Sequence, residues 1–368
     1  MKNSELSGKA VDFVRQDIAA LEPYKPNIYY EDLADRLGCA PEDLLKLDAN
    51  ENAFGPPPSV RDALANVRFP NFYPDLENGR LRRALAEFTG VSMEQLLVGA
   101  GSDELLELTF NLLIEPGDAV INLPPTFSMY AFNGVLAGAR LIDIPRRADF
   151  SIDVDAIETA VLQEKPKLLI ICSPNNPTAN LVPDDALERL LALPVIVLLD
   201  EAYIEFSDTE SRITEVPARE NLIVLRTFSK MAGLAGLRVG YGAFPKPLIP
   251  HLWKIKEPFT VSVPATAAAL TAIENHEALE DTRDQIIAER ERLRSKLQTL
   301  SYLTPSPSQT NFVLCRIHDR DPEVLRSALE ADGILLRYYN QPDMKGMIRI
   351  TVGRPEQTDR LMRVLSRL

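Results

Sequence analysis

Residues 168–203 read LLIICSPNNPTANLVPDDALERLLALPVIVLLDEAY. Two apolar runs, 168–171 (LLII) and 195–199 (VIVLL), bracket this stretch. Neither alternates apolar with polar, so each predicts a strand covered on both faces, as in a parallel sheet. Between them, 183–192 (PDDALERLLA) predicts a helix opened by proline, which the first turn tolerates because its missing N–H has no partner there. Strand, helix, strand is a crossover unit, and the loops after such strands are where these sheets bind ligands.

The same signature recurs outward, at 119–123 (AVINL) and 222–225 (LIVL), and predicts a doubly wound α/β core over roughly residues 75–255. The expected division is an N-terminal arm (1–45), a large α/β domain (46–255) and a small C-terminal α+β domain (256–368). In the last, 282–300 (TRDQIIAERERLRSKLQTL) predicts a long amphipathic helix, and 310–316 (TNFVLCR) and 347–352 (MIRITV) predict strands. The arm is expected to pack with the small domain.

Composition narrows the function. A net charge of −13 disfavours a nucleic-acid binder, which needs clustered Lys and Arg. No apolar stretch approaches membrane-spanning length, and Met1–Ala10 shows no apolar signal core. Cys39, Cys172 and Cys315 form no C-x-x-C pair, which points to reduced thiols and a cytoplasmic location rather than to disulfides or zinc; no metal site is expected. His251, His276 and His318 stand in no metal or triad context. An enzyme of this sequence must find its acid–base group elsewhere or borrow a cofactor.

Five features favour a cofactor. Gly99-Ala-Gly101-Ser102-Asp103-Glu104 follows an apolar run and opens a helical segment, a phosphate site or an ordinary glycine turn. Glu104 stands where a dinucleotide fingerprint has its third glycine. Ser173-Pro-Asn-Asn176-Pro-Thr178 makes a stiff loop at a strand end. Asp200, in Asp200-Glu-Ala-Tyr203, emerges from a buried run as either a helix cap or an active-site carboxylate. Arg226-Thr227-Phe-Ser229-Lys230, with Gly233-Leu-Ala-Gly-Leu-Arg238-Val-Gly240-Tyr241 after it, sets a lysine among apolar and hydroxyl groups that would lower its pKa. Arg349 and Arg337 sit inside apolar strands and need an anion, either a ligand or an internal carboxylate.

In this order the motifs resemble those of fold-type-I pyridoxal-phosphate aminotransferases, across nearly the whole chain. Further segments are similar to the histidinol-phosphate aminotransferase family: Pro23-Tyr24, Leu47-Asp-Ala-Asn50-Glu-Asn52, Phe72-Tyr73-Pro74, Pro124-Pro-Thr-Phe127-Ser-Met-Tyr130, Gly333-Ile-Leu-Leu-Arg337-Tyr338 and Ile348-Arg349-Ile-Thr-Val-Gly353. The resemblance implies a mostly parallel central sheet with helices on both faces plus a smaller α+β lobe, and transamination of L-histidinol phosphate with 2-oxoglutarate. It implies that Lys230 holds the pyridoxal 5'-phosphate covalently, releases it to the substrate amine and then shuttles a proton. Asp200 would pair with the ring nitrogen, Tyr203 and Asn176 with the ring 3′-oxygen, and Phe127 would stack on the ring. Ser102, Asp103, Thr227, Ser229 and Arg238 would hold the phosphate. Tyr73 would reach the phosphate of a neighbouring subunit, which implies a homodimer with shared sites. Arg349 would bind the acid group of the donor or acceptor, with Tyr24 and Arg337 at the substrate's phosphate end.

Two departures stand out. Relatives usually follow N-P-T with glycine, where this chain has Ala179-Asn180; a positive φ there would strain alanine, with Asn180 absorbing part of the turn. Phe127 replaces a frequent tyrosine. The same cofactor site also fits an aromatic or broad-specificity aminotransferase or a phospho-amino-acid decarboxylase. A cofactor-binding regulatory domain of another class is disfavoured, because no basic recognition-helix pattern precedes the L-D-A-N-E-N segment.

Overall fold

The computed structural model describes residues 9–21 and 30–368. Twelve strands are assigned in chain order: β1 (Leu45–Leu47), β2 (Leu96–Gly99), β3 (Ala119–Asn122), β4 (Arg140–Asp143), β5 (Leu168–Cys172), β6 (Ile196–Asp200), β7 (Leu222–Thr227), β8 (Gly240–Ala243), β9 (Leu303–Pro305), β10 (Phe312–Ile317), β11 (Ile334–Tyr339) and β12 (Met347–Thr351). They form two sheets. The larger has the order β2-β8-β7-β6-β5-β3-β4, and the smaller β1-β11-β12-β10-β9.

In the larger sheet every neighbouring pair is parallel except those made by β8, which runs antiparallel to both β2 and β7. Successive side chains leave a strand on opposite faces, and here both faces are buried. Ile121, Leu169, Ile171, Val197, Leu199 and Val224 join one apolar core, while Val120, Leu168, Ile170, Leu198, Ile223 and Leu225 join the other. That two-sided cover is why the runs lack alternation. The helix expected at 183–192 is Asp184–Leu191, with Pro183 just outside it at φ −60°.

The smaller sheet draws its strands from both ends of the chain. β1 lies parallel to β11, and β10 lies antiparallel to β9 and β12. Because β1 ends at Leu47, it delivers Asp48, Ala49 and Asn50 to the space between the two sheets. The helix expected at 282–300 is His276–Leu297, starting earlier because its first turns carry charge rather than an apolar stripe and only Leu279 there is buried. Buried Arg290 of this helix donates to the carbonyls of Phe206 (2.9 Å) and Thr310 (3.0 Å), so it joins the two sheets' neighbourhoods.

Helix Val263–Glu274 packs Ala265, Ala268, Ala269 and Ala272 into the core of the larger sheet, beside Val60, Leu81 and Leu85. Of the arm, Leu33 and Ala34 pack on Leu44 and Leu335 beside β11, whereas Arg15 donates to the Leu136 carbonyl on the larger sheet's side. Tyr24 lies outside the described residues. Among the described residues no helix is long and apolar enough to cross a membrane, and no His/Cys/Asp/Glu cluster has metal-binding form.

Candidate active site

A cavity of about 520 Å³ opens where the ends of β5, β6 and β7 face the smaller sheet. Of the site residues expected from the sequence that lie among the described residues, it gathers all but Tyr73. They arrive on several separate elements, among them helix Ser102–Leu113, the ends of β6 and β7, and strands β11 and β12, so their convergence is a product of the fold.

At one end lies an anion cradle. Helix Ser102–Leu113 points its N-terminus, with its unpaired N–H groups, into the cavity beside Ser102 and Asp103. Gly101 holds φ +81°, and a Cβ there would stand 2.5 Å from an Arg238 guanidinium nitrogen. At Gly240 the closest approach is to backbone, since a Cβ would fall 2.4 Å from the Ser102 nitrogen. Arg238 itself takes φ +51° and pairs with Asp103 at 2.8 Å. Thr227 and Ser229 complete the cradle, the Thr227 hydroxyl accepting the Ser229 N–H at 3.0 Å. Glu104 has a use that its place in the motif did not reveal. One carboxylate oxygen accepts the Ala100 N–H at 2.5 Å and the other pairs with buried Lys256 at 2.8 Å, which ties down the glycine loop.

The cavity floor holds Asp200 and Lys230. Asp200 is buried at the end of β6; one oxygen accepts the Ala202 N–H (3.0 Å) and the other the Tyr130 hydroxyl (2.6 Å). It is therefore both a local turn cap and a cavity carboxylate. No salt bridge to Asp200 exists among the described residues, and burial raises its pKa to about 6. Lys230, just beyond β7, has its Nζ 5.6 Å from the Tyr203 ring centroid. Burial, and then the Arg349 guanidinium, lower its pKa to about 8.

Tyr203 is buried, and its hydroxyl accepts from the Asn50 side chain at 2.9 Å. Phe127 lines the cavity edge-on to Tyr130, ring centroids 5.6 Å apart. Asn176 accepts from Arg349 at 2.6 Å, and Arg349 also donates to the Asp48 carbonyl at 2.6 Å. Arg349 has no carboxylate partner among the described residues, and its Nε is buried without one of any kind. Arg337 stands directly across from it in the β11–β12 register. Two cations opposed on neighbouring strands repel each other, and both line the cavity. Among the described residues no carboxylate forms a salt bridge with either arginine.

Tyr73 is elsewhere. It is 82% exposed and stacks on Phe259 with centroids 4.7 Å apart. Tyr130, Asp48 and Lys256 carried no role in the sequence; Asn50 was legible as part of L-D-A-N-E-N but not as the Tyr203 donor. Only the pairing of distant elements exposes them. The Ala179 departure is resolved as well: Ala179 takes φ +63° itself, and Asn180 does not share the left-handed turn. Left-handed backbone costs an L-residue roughly 1–2 kcal/mol. The Ala179 methyl is fully buried in the smaller sheet's core, which offsets about 0.8 kcal/mol of that.

Among the described residues, a buried carboxylate without a salt bridge, a lysine of lowered pKa and a helix N-terminus beside Arg238 could together hold a phosphate ligand that carries an aldehyde and a basic ring nitrogen. Residues 42–365 match the family described as aminotransferase class I and II. The chain belongs to this family.

Among relatives of this aminotransferase chain, the chloroplastic histidinol-phosphate aminotransferase of Nicotiana tabacum is 48% identical over 354 residues, covering 96% of this chain and 86% of that protein. The histidinol-phosphate aminotransferase of Roseiflexus castenholzii is 46% identical over 360 residues, covering 96% and 97%. A solved structure of the Sinorhizobium meliloti histidinol-phosphate aminotransferase, in complex with pyridoxal-5'-phosphate, matches with TM-score 0.87 at 29% identity, covering 96% and 98%. The fold of this aminotransferase is accordingly the fold-type-I one, with a mostly parallel central sheet and a smaller lobe.

Proposed function

We propose that this chain catalyses pyridoxal-phosphate-dependent transamination between L-histidinol phosphate and 2-oxoglutarate, yielding imidazole-acetol phosphate and L-glutamate. The observation that carries the reading is the pair Arg337 and Arg349, opposed across β11 and β12 in one cavity and without a salt-bridge partner among the described residues. A site that alternates between a phosphate-bearing amine and a dicarboxylic acid needs two cations in reach, and arginine suits both anions by bidentate hydrogen bonding. The names borne by relatives at 46–48% identity support the same substrates.

The residues fit the cofactor. Gly101 and Gly240 leave room at a helix N-terminus where Arg238, Ser102, Thr227 and Ser229 would hold its phosphate. Asp200, a buried carboxylate accepting only neutral donors among the described residues, suits a protonated ring nitrogen. When bound, pyridoxal phosphate supplies an electron sink that labilises a bond at the substrate's amine-bearing carbon. The chain does the rest. Lys230 Nζ, lowered to about 8, exchanges between amine and ammonium near neutral pH and so can give and take a proton. Tyr203 and Asn176, fixed by Asn50 and Arg349, would hold the ring oxygen, while Phe127 would cover the ring and exclude water. Arg349 anchors the acid group and Arg337 the phosphate end.

We read Tyr73, exposed on an apolar patch with Phe69, Phe72 and Phe259, as serving the cavity of a second copy. Co-expressed Lys230→Ala and Tyr73→Ala chains should then regain activity, because a hybrid dimer rebuilds one intact site in two. About a quarter of wild-type sites is expected if half the dimers are hybrids, and no gain over the separate variants would refute shared sites. Three free cysteines suit a reducing, cytoplasm-like compartment.

An absorbance titration tests the substrate assignment. Protein loaded with pyridoxal phosphate should show a visible band that bleaches on adding histidinol phosphate without keto acid and returns with 2-oxoglutarate. A band that bleaches with phenylalanine or glutamate but ignores histidinol phosphate would discard the substrate and keep the aminotransferase. Release of carbon dioxide as the main product would discard transamination.

A further inference from the structure

We propose that Tyr130 is a positioning residue for the cofactor, its phenol holding the Asp200 carboxylate fixed and ionised so that it can pair with a protonated ring nitrogen. This assignment rests on reading the cavity as a pyridoxal-phosphate site and goes beyond it, since that reading gives Tyr130 no role.

The geometry is specific. Tyr130 opens helix Met129–Leu136, and its side chain is among the largest that the fold buries completely. Its ring lies in the core beneath the larger sheet with Phe127 edge-on against it, so the hydroxyl has little freedom. That hydroxyl donates to Asp200 at 2.6 Å, the short distance of a bond to a charged acceptor. The Ala202 N–H takes the other Asp200 oxygen. Each carboxylate oxygen keeps a further lone pair, and Asp200 lines the cavity. Two donors on two oxygens leave the carboxylate no rotation to make.

Charge balance supplies the reason for a phenol here. Burial is the dominant influence on Asp200 and raises its proton affinity to about 6 even with both donors in place. A hydrogen bond donated to a charged group holds its proton affinity down by about one to two pKa units. Without the phenol the carboxyl would therefore be protonated at neutral pH and could no longer accept from a protonated nitrogen. The other groups bearing on Asp200 are Lys230 beyond β7, Asp103 at the head of helix Ser102–Leu113, and Cys172, its β5 register partner. Arg146, buried with one guanidinium nitrogen unpartnered, bears on Tyr130 and Cys172. None of these donates to Asp200 among the described hydrogen bonds. The phenol alone does so from a side chain.

Tyr130→Phe deletes only the hydroxyl and keeps the packed ring. The measurement is equilibrium binding of pyridoxamine phosphate, which cannot attach to Lys230, and of its 1-deaza analogue, which has carbon in place of the ring nitrogen. We expect the variant to bind pyridoxamine phosphate roughly tenfold or more weakly at pH 7.5, with the acid limb of affinity moved up by about one unit. Affinity for the deaza analogue should stay within about twofold, since it offers no N–H to the carboxylate. In an Asp200→Asn background the Tyr130→Phe change should have little further effect. Equal weakening toward both ligands would mark Tyr130 as packing only and overturn the proposal, as would unchanged binding of both. Wild-type protein that binds neither ligand would sink the cofactor reading itself.

Discussion

Lys230→Ala is expected to reduce transamination by at least about 10⁴-fold while leaving the fold and its thermal transition intact. No other lysine lines the cavity among the described residues, so no second amine can take over the covalent and proton-carrying work. The expected effect also has a pH signature. Lys230 is an ammonium below about 8 and a free amine above it, so capture of an aldehyde by the wild-type protein should slow as pH falls through that value. The variant should still bind pyridoxal phosphate through the cradle at Ser102, Thr227, Ser229 and Arg238, but without the lysine-dependent shift of its visible band. Steady-state rates, circular dichroism and the absorbance spectrum check the three parts together. Turnover within tenfold of wild type would mean that Lys230 does not carry the chemistry.

Asp200→Asn should separate stability from function. The folded carboxyl keeps its proton up to about 6, whereas its ordinary value is 3.8. Between those values the folded state binds more protons than the unfolded one, so this group's contribution to stability falls as pH rises through the window. The penalty is fully present above about 6 and absent below 3.8. It is on the order of 3 kcal/mol, part of which the buried asparagine amide would retain as its own desolvation cost. The expected result is a cofactor-free protein about 1–3 kcal/mol more stable than wild type at pH 8 and equal to it near pH 3.5. Activity should fall roughly 10²–10³-fold, because a neutral amide cannot hold a proton on the ring nitrogen. Denaturant melts of the cofactor-free protein at the two pH values, beside kcat of the loaded enzyme, provide the test. A variant less stable at both pH values would show that the carboxylate is not strained by burial.

Much of the site was legible because this chemistry sits at strand ends. Asp200 and Lys230 follow apolar runs whose lack of alternation marks them as covered on both faces, and a polar group leaving such a run has to be accounted for. Arg349 was legible for the same reason, as a cation inside the fully buried β12. Tyr130 was not, because its place at the start of an apolar helix is also what an ordinary core tyrosine shows. Glu104 was visible only as a missing glycine; its bond to Ala100 is local, but the one to Lys256 reaches 152 residues along the chain.

The boundary between the two kinds of knowledge follows interaction range. Composition, apolar runs and motif order, all properties of neighbouring residues, were enough for the α/β class, the crossover unit at 168–203 and the residue types a phosphate- and amine-handling cofactor needs. Which residues meet was decided by the tertiary structure. Joining β1 to β11 brings Asn50 to Tyr203, and setting β12 beside β11 opposes Arg349 and Arg337. The packing of helix Met129–Leu136 against β3 and β4 sets Tyr130 on Asp200. A hydrogen bond selects its partner within about 3 Å, a scale at which separation along the chain carries no information until the chain has folded.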